Sequence, residues 1–259
     1  MSYSAQTTTA VRQRRPDTRA AFAVGLARSP AAIREAQRLR YEIFAREVGA
    51  RLHNTLADHD HDDYDDFCQH LLVRDAASGQ IAGYTRILTD RQARKAGGFY
   101  SQSEFDLAEL LRQPGRVMEI GRTCIHADYR NGAAIATLWA GLAAFIVKHG
   151  FDYVIGCASI PLAAGAGAVQ ALAERLLEYH GLAHDLRATP RCPLPRQDGT
   201  ACADLALPPL LKAYLRIGAQ IASAPCLDAD FNVADVLIWL PTAQLERRYA
   251  RHYLKKHAQ

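Results

Sequence analysis

The sequence has 259 residues, of which 49% are hydrophobic and 22% are charged, which is the composition of an ordinary globular enzyme. A formal net charge of +4 is too small for the basic surface of a nucleic-acid-binding protein, so we expect no nucleic-acid partner. The longest apolar run, residues 133–147, falls short of the roughly 20 residues needed to cross a bilayer.

The chain is predicted to consist of a basic tail and one domain. Residues 1–20 include Arg12, Arg14 and Arg15 but lack the apolar core of a secretion signal, so we expect a flexible tail that is solvated or contacts an acidic partner or anionic lipid. Residues 21–259 are long enough to bury one substantial core. The six cysteines form no Cys-x-x-Cys pair, which, without a secretion signal, predicts reduced thiols and a cytoplasmic protein.

The first predicted elements are a strand, a helix and a hairpin. Residues 21–27 form a short apolar run, and apolar residues recur at helical spacing across residues 31–47. Residues 70–74 and 81–88 have the character of strands, and a turn-forming Ser-Gly pair between them predicts a hairpin.

Residues 58–66 form an acidic segment between the first helix and the hairpin. Its aspartates and histidines are common metal ligands, but such a run is more often a solvated loop, so we expect no metal here. One or two of its carboxylates, if folded into a cleft, would bind a cationic amine.

A strand-helix-strand unit follows. Residues 117–126 and 153–160 have the character of strands, and between them lies a helix that ends at Gly150. The apolar positions of this helix fall on one face: Ile135, Leu138, Trp139, Leu142 and Ile146.

The remaining elements predict a mixed architecture. They are a helix at 168–179, a loop at 181–206 rich in Pro, Arg and Asp, a helix at 208–217, strands at 220–225 and 233–240, and a basic helix at 243–256. The whole pattern predicts an α+β or α/β fold around a mixed sheet. The last helix either packs its apolar side on the sheet or contacts an anionic membrane.

Two charged residues interrupt the strand at 117–126. Glu119 and Arg122 are three residues apart, which places them on opposite faces of a regular strand. A bulge at Gly121 would re-aim one side chain, so that both line one cleft, and would free a backbone N–H for a thioester oxyanion. Glu119 is then the candidate acceptor for the proton of an amine, unless it forms a structural ion pair with Arg122.

A loop at the start of the next helix is a candidate phosphate site. Arg130, Asn131, Gly132, Ala133 and Ala134 enter the helix where the first N–H groups are unpaired and the helix dipole is positive. The alternative is that Gly132 simply caps the helix.

Seven charged or aromatic residues are distributed between the first predicted helix and the strand at 117–126: Arg40, Phe44, Asp62, Asp65, Arg86, Glu119 and Arg122. Their order and spacing resemble the acyl-homoserine-lactone synthase branch of the GNAT-like fold. Four longer segments, residues 65–73, 98–106, 119–126 and 155–159, resemble more closely the bacterial ornithine N-acyltransferases that begin ornithine-lipid synthesis.

This resemblance implies a three-layer GNAT-like fold with a central mixed sheet and no bound cofactor. The implied reaction moves a (3-hydroxy)fatty acyl group from acyl carrier protein to the α-amine of L-ornithine, giving lyso-ornithine lipid. The co-substrate is an acyl-phosphopantetheine thioester, on carrier protein or coenzyme A. Catalysis would involve Glu119 and Arg122. The residues Arg40, Phe44, Asp62, Asp65 and Arg86 would bind substrate, unless the charged ones form a scaffold network.

Three alternatives remain open at this level. In the first, the acceptor is another amino acid such as glycine or tyrosine. In the second, the product is an acyl-homoserine lactone. In the third, the chain is a catalytically silent acyl-carrier-binding module. An acidic pair placed for a second amine would favour ornithine. We expect the basic residues Arg91, Arg94 and Lys95 to meet an acidic carrier protein. We also expect Cys124 and Cys157 to be small core residues rather than nucleophiles, and the enzyme to make at most peripheral contact with the inner membrane.

Overall fold

The computed structural model describes residues 22–53, 57–195 and 205–243. The predicted N-terminal tail and almost all of the predicted helix at 243–256 lie outside these residues. Among the residues described, no helix is long and apolar enough to cross a bilayer.

The described chain contains a large sheet with helices on both faces. Its strands are β1 (Phe22–Leu26), β2 (Gln69–Asp75), β3 (Ile81–Thr89), β4 (Phe105–Asp106), β5 (Val117–Ile125), β6 (Tyr153–Pro161), β7 (Thr189–Pro190), β8 (Gln220–Ile221), β9 (Cys226–Asp228) and β10 (Val233–Pro241). Its α-helices are α1 (Pro30–Tyr41), α2 (Asp90–Lys95), α3 (Ala108–Leu111), α4 (Ala133–His149), α5 (Ala166–His180) and α6 (Pro209–Arg216).

The helix boundaries follow from local sequence. Ser29 caps α1 by accepting a hydrogen bond from the amide of Ala32 (3.2 Å), and Pro30 occupies the first turn, where its missing N–H is harmless. A π-helical turn, Glu42–Glu47, continues α1, so the predicted helix at 31–47 is present as two consecutive segments. Gly150 ends α4 in the left-handed conformation (φ 65°), as predicted.

The strands form a mixed sheet in the order β1-β2-β3-β5-β6-β10-β8, with β9 also paired to β10. All of these pairs are antiparallel except β5 and β6, which are joined by α4 in the predicted strand-helix-strand unit. The predicted central mixed sheet is therefore confirmed.

Adjacent residues of β2 show the three layers. Leu72 packs in one cluster with Tyr84 and with α1, whereas Leu71 and Val73 pack in a second cluster with Leu138 of α4. Alternate residues of a strand point to opposite faces, so α1 covers one face and α4 the other. The apolar faces of α5 and α6 join the α4 side.

Strands β5 and β6 separate towards their carboxyl ends. They pair only where Val117–Glu119 meets Tyr153–Ile155, although the strands continue to Ile125 and Pro161. Because α4 begins just after β5, the gap opens at the end of the sheet where α4 starts. This splayed pair leaves room for an extended ligand between two central strands.

A bulge interrupts the ladder between β3 and β5. The pairing shifts between Tyr84 and Arg86, so that the single residue Thr85 lies opposite both Arg122 and Thr123. The hydroxyl of Thr85 lies 2.8 Å from that of Thr123, which fixes the irregular backbone. The predicted bulge is thus present.

The bulge lies one residue later than predicted. Gly121 keeps regular pairing with Arg86, and Arg122 instead adopts a left-handed conformation (φ 53°). For a residue with a Cβ this conformation costs about 1–2 kcal/mol. Ion pairs of the Arg122 side chain, described below, hold it there.

The strand predicted at 220–225 is interrupted. Strand β8 ends at Ile221, and the hydroxyl of Ser223 accepts the bond from the amide of Leu237 (2.8 Å) that a strand carbonyl would accept. Pro225 has no N–H to continue a ladder, and pairing resumes with β9. The predicted loop at 181–206 contains the short strand β7, which pairs with β4.

Candidate active site

Two adjacent cavities open beside the splayed strands. The inner cavity has a volume of about 110 Å³ and the outer one about 410 Å³. Six residues line both: Tyr64, Tyr100, Glu104, Arg122, Asp228 and Phe231. The outer cavity therefore connects solvent to the inner one.

The structure brings five of the seven predicted catalytic and substrate-binding residues to these cavities. Phe44, Arg86, Glu119 and Arg122 line the inner cavity, and Asp62 lines the outer one together with Arg122. The shared cleft expected for Glu119 and Arg122 is therefore present. Arg40 and Asp65 line neither cavity.

Glu119 is held by a short turn rather than by Arg122. Its side chain is buried, with 3% of its surface exposed. One carboxylate oxygen accepts the amide of Tyr100 (2.6 Å), and the other accepts both the amide (2.7 Å) and the hydroxyl of Ser101. Burial raises the pKa of Glu119, and the donors of Ser101 and Tyr100 oppose that rise. The structural ion pair considered for Glu119 and Arg122 is absent from this arrangement.

The charge of Arg122 is neutralised by two aspartates and not by Glu119. Its guanidinium lies 3.3 Å from the carboxylate of Asp60 and 3.3 Å from that of Asp62. The rings of Tyr100 and Phe231 flank it at 5.0 and 5.3 Å. The aromatic rings and aspartates together fix the only charged side chain of the bulge.

Arg40 is the buried centre of the same network. It is 0% exposed and donates to Asp60 (2.8 Å), to Asp65 (2.7 Å) and to the hydroxyl of Tyr84 (3.3 Å). Arg86 extends the network by pairing with Asp65 (3.0 Å) and with Asp62 (2.5 Å). These contacts agree with the scaffold alternative for Arg40 and Asp65.

We call these residues the ion-pair network: Arg40, Arg86, Arg122, Asp60, Asp62 and Asp65. Burial favours the neutral form of Asp65, but Arg40 and Arg86 outweigh it and hold the pKa of Asp65 well below its usual range. Arg86 likewise lowers the pKa of Asp62 against the effect of burial. Positive and negative groups balance within the network.

A second group of carboxylates lines the inner cavity: Glu104, Asp228 and Asp235. We call it the acidic cluster. One oxygen of each lies within 4.8 Å of the others. Asp235 is 3% exposed and accepts a bond from the hydroxyl of Ser159 (2.7 Å), whereas Oε2 of Glu104 is buried without a hydrogen-bond partner. In the described parts of the chain no Lys, Arg or His forms an ion pair with these three.

The acidic cluster resists full ionisation. Burial, reinforced by the charge of Asp235, raises the pKa of Glu104 to about 8. Burial also raises the pKa of Asp235 to about 6, with a further contribution from Asp228. Neighbouring carboxylates cannot all be charged without a cation between them.

Sequence reasoning missed the acidic cluster. One signal was available, because Asp235 is a charged residue inside the apolar strand β10, and such a residue is seldom buried without a partner. Glu104 and Asp228 gave no comparable signal, since Glu104 follows the short turn Tyr100–Ser103 and Asp228 ends the three-residue strand β9.

The predicted phosphate loop lines neither cavity, and its residues from Arg130 to Ala133 are exposed. Gly132 is left-handed (φ 92°), and the side chain of Asn131 caps the amide of Ala133 (3.1 Å). Arg130 bonds the carbonyl of Ile125 (3.0 Å) and the carboxylate of Glu47 (2.6 Å), while Ala134 is buried at the start of α4. The loop lies at the end of the sheet where β5 and β6 have separated, and its role stays a prediction.

Comparison with known proteins defines the class first. The acetyltransferase (GNAT) domain family matches residues 39–140. The acyl-homoserine lactone synthase LasI shares the fold with a TM-score of 0.51 at 14% identity, covering 86% of this chain and 90% of that one. FeeM, an N-acyl amino acid synthase from uncultured soil microbes, has a TM-score of 0.50 at 13% identity, covering 86% and 92%. The chain is an acyltransferase with the GNAT fold.

Closer relatives define the family. The chain is 38% identical to an L-ornithine N(alpha)-acyltransferase of Rhizobium meliloti over 249 residues, covering 88% of this chain and 82% of the relative. It is 38% identical to the Brucella abortus enzyme of that name, covering 89% and 88%, and 33% identical to the Rhodobacter capsulatus one, covering 91% and 95%. The chain belongs to the L-ornithine N(alpha)-acyltransferase family, which confirms the resemblance noted in its sequence.

Proposed function

We propose that this enzyme transfers a fatty acyl group from a thioester donor to the α-amine of L-ornithine, giving lyso-ornithine lipid. Family membership supports the reaction class, because the curated relatives carry that activity in their names. The choice of ornithine over glycine or tyrosine depends on the acidic cluster.

The acidic cluster suits an acceptor with a second amine. Ornithine carries a side-chain ammonium that glycine and tyrosine lack, and an ammonium among three carboxylates would relieve their mutual repulsion. The two cavities together are lined by eight carboxylate residues, Asp60, Asp62, Asp63, Glu104, Glu119, Asp228, Asp230 and Asp235, but by three arginines, Arg51, Arg86 and Arg122. Glu104 is mostly protonated at neutral pH because its pKa is raised to about 8, but seven carboxylate residues remain against the three arginines, and this excess of negative charge favours a cationic amino acid.

The chemistry follows from the position of Glu119. In this proposal the acyl thioester lies in the gap between β5 and β6, and the α-amine approaches from the inner cavity. Glu119 takes one proton from the α-ammonium, the neutral amine attacks the thioester carbonyl, and the irregular backbone at Arg122 offers an N–H to the oxyanion. Collapse of the tetrahedral intermediate breaks the C–S bond, and the thiolate leaves with the second proton.

The donor is acyl carrier protein in this proposal, with coenzyme A as the alternative. The basic residues Arg91, Arg94 and Lys95 lie on α2, where all three are exposed. Carrier proteins are acidic, so this patch supports a carrier-bound donor. The loop from Arg130 to Ala134 is the candidate site for the phosphate of the phosphopantetheine arm.

The test is release of free thiol from a 3-hydroxyacyl carrier protein. Ornithine, glycine, tyrosine and S-adenosylmethionine are compared as acceptors for the wild type and for Glu119→Gln. We expect release with ornithine and a loss of about 10²–10⁴-fold in kcat for the variant.

Other outcomes separate the alternatives. Release with glycine, tyrosine or S-adenosylmethionine instead would move the acceptor assignment, and no release at all would support a binding module. Because carboxylates also bind divalent cations, the assay is repeated with a chelator, and inhibition by the chelator would assign the acidic cluster to a metal instead.

A further inference from the structure

Ser101 makes contacts that the proposed function has not used. It is 0% exposed and lies in the short turn Tyr100–Ser103, opposite Glu119. Its amide and its hydroxyl both donate to Oε1 of Glu119, while the amide of Tyr100 donates to Oε2. One serine therefore supplies two of the three donors that Glu119 receives.

These contacts distinguish the two oxygens of Glu119. A carboxylate offers about four acceptor positions, two on each oxygen. Both positions on Oε1 are filled by Ser101, whereas one position on Oε2 is left after the bond from Tyr100. Because Glu119 lines the inner cavity, Oε2 is the oxygen with capacity for a proton from a substrate.

The direction of the Ser101 hydroxyl is set by Cys157. The thiol of Cys157 donates to Oγ of Ser101 (3.4 Å), so the hydroxyl hydrogen is directed to Glu119. Burial raises the pKa of the Cys157 thiol well above its usual value, so the thiol stays protonated and remains a donor. Cys157 also lines the inner cavity, where it is partly buried and packs against a hydrophobic core cluster, in agreement with the small core residue predicted there.

We propose that Ser101 is a positioning residue of the acyl transfer: it holds Oε1 of Glu119 and leaves Oε2 to take the proton of the acceptor ammonium. This inference rests on the proposed function. An N–H bond of the ammonium breaks, an O–H bond forms at Oε2, and the freed nitrogen lone pair forms the amide bond. Glu119 later returns its proton to water.

Removal of the Ser101 hydroxyl has a predictable electrostatic effect. Five titratable or charged groups also face Glu119: Tyr64, Cys68, Arg86, Glu104 and Cys157. All five groups remain when Ser101 is replaced by Ala, so the comparison of this variant with the wild type isolates the effect of the hydroxyl on the pKa of Glu119. Loss of a donor to the carboxylate adds to the effect of burial and raises the pKa of Glu119 further.

The experiment measures kcat against pH with saturating ornithine and acyl donor. In Ser101→Ala we expect the acidic limb of the profile to move up by about one pH unit, with the KM for ornithine unchanged within about twofold. Cys157→Ala should move the limb in the same direction by less. Ser103→Ala is the matched control, because its hydroxyl bonds the carbonyl of Tyr100 (2.7 Å) and not Glu119.

Two results would overturn the inference. One is an acidic limb that does not move in Ser101→Ala, even if kcat falls equally at every pH. The other is an equal shift in Ser103→Ala. Should Ser101→Ala fail to fold, Ser101→Cys keeps a weaker donor of similar size, and an unshifted limb in that variant is equally contradictory. Failure of the wild type to acylate ornithine would instead refute the proposed function.

Discussion

The ion-pair network and the acidic cluster occupy neighbouring parts of one cleft but have opposite charge balance. In the ion-pair network Arg40, Arg86 and Arg122 are matched by three aspartates at 2.5–3.3 Å. In the acidic cluster one oxygen each of Glu104, Asp228 and Asp235 lies within 4.8 Å of the others, and no Lys, Arg or His of the described residues forms an ion pair with them. A balanced group needs no ligand, whereas an unbalanced one attracts a cation.

The largest expected effect is that of a substitution at Arg40. Replacement of Arg40 by Ala removes the shorter ion pair of each of two buried aspartates, Asp60 and Asp65, and leaves them only the longer pairs with Arg122 (3.3 Å) and Arg86 (3.0 Å). We expect this loss to cost about 3–5 kcal/mol in the free energy of unfolding. Urea denaturation measures this loss. The control is Arg46→Ala, because Arg46 pairs with Glu42 and Asp58 at the exposed surface and should change stability little. Equal effects of the two substitutions would contradict a structural role for the network.

The second prediction concerns opposite pH dependences. Folding raises the pKa of Asp235 to about 6, so the folded state binds its proton more tightly than the unfolded chain does. The contribution of Asp235 to the free energy of unfolding is therefore most favourable below about pH 4 and is lost as the pH rises through about 6. The lowered pKa values of Asp62 and Asp65 have the reverse sign: their contribution is present above about pH 4 and is lost in acid.

Asp235→Asn isolates the acidic cluster. It removes a buried charge and keeps an acceptor for Ser159, so we expect the variant to be about 1–3 kcal/mol more stable than the wild type at pH 8, with the gain shrinking towards pH 4. Urea denaturation at several pH values tests this. A gain that is the same at pH 4 and pH 8 would show that ionisation of Asp235 is not its cause.

The smallest predicted effect lies outside the cleft. Reversing the charges of Arg91, Arg94 and Lys95 should raise the KM for carrier-bound donor about three- to tenfold at low salt, because these exposed side chains act through long-range attraction. The KM for the coenzyme A thioester should stay unchanged. Arg112→Glu, which alters an exposed charge outside α2, is the control. Equal changes for both donors would remove the docking role.

The sequence predicted the elements that local pattern defines. Apolar spacing located α4 and β5, and charged residues on either side of Gly121 indicated the bulge. Its shift to Arg122 could not be foreseen, because the position depends on Asp60 and Asp62 from a distant segment. Helices α2 and α3 were missed since each is too short for a periodic signal.

Of the two charged groups in the candidate site, the sequence analysis led to the ion-pair network and missed the acidic cluster. The family resemblance carried by residues from Arg40 to Arg122 named five members of the ion-pair network but not Asp60, and it did not distinguish scaffold residues from cavity residues. The acidic cluster joins Glu104 to Asp228 and Asp235, more than 100 positions later in the chain. Asp228 and Asp235 reach the cavity through the pairing of β9 with β10 and of β10 with β6, which no local pattern encodes.

We propose that the acidic cluster selects the acceptor through the second amine of ornithine. The most direct test compares kcat/KM for ornithine and for norvaline, which has the same carbon chain without the side-chain amine, in the wild type and in Asp235→Asn. We predict that the wild type prefers ornithine by about 10–100-fold and that the variant loses most of this preference through ornithine alone. An equal loss for both acceptors, or an unchanged preference, would contradict the account.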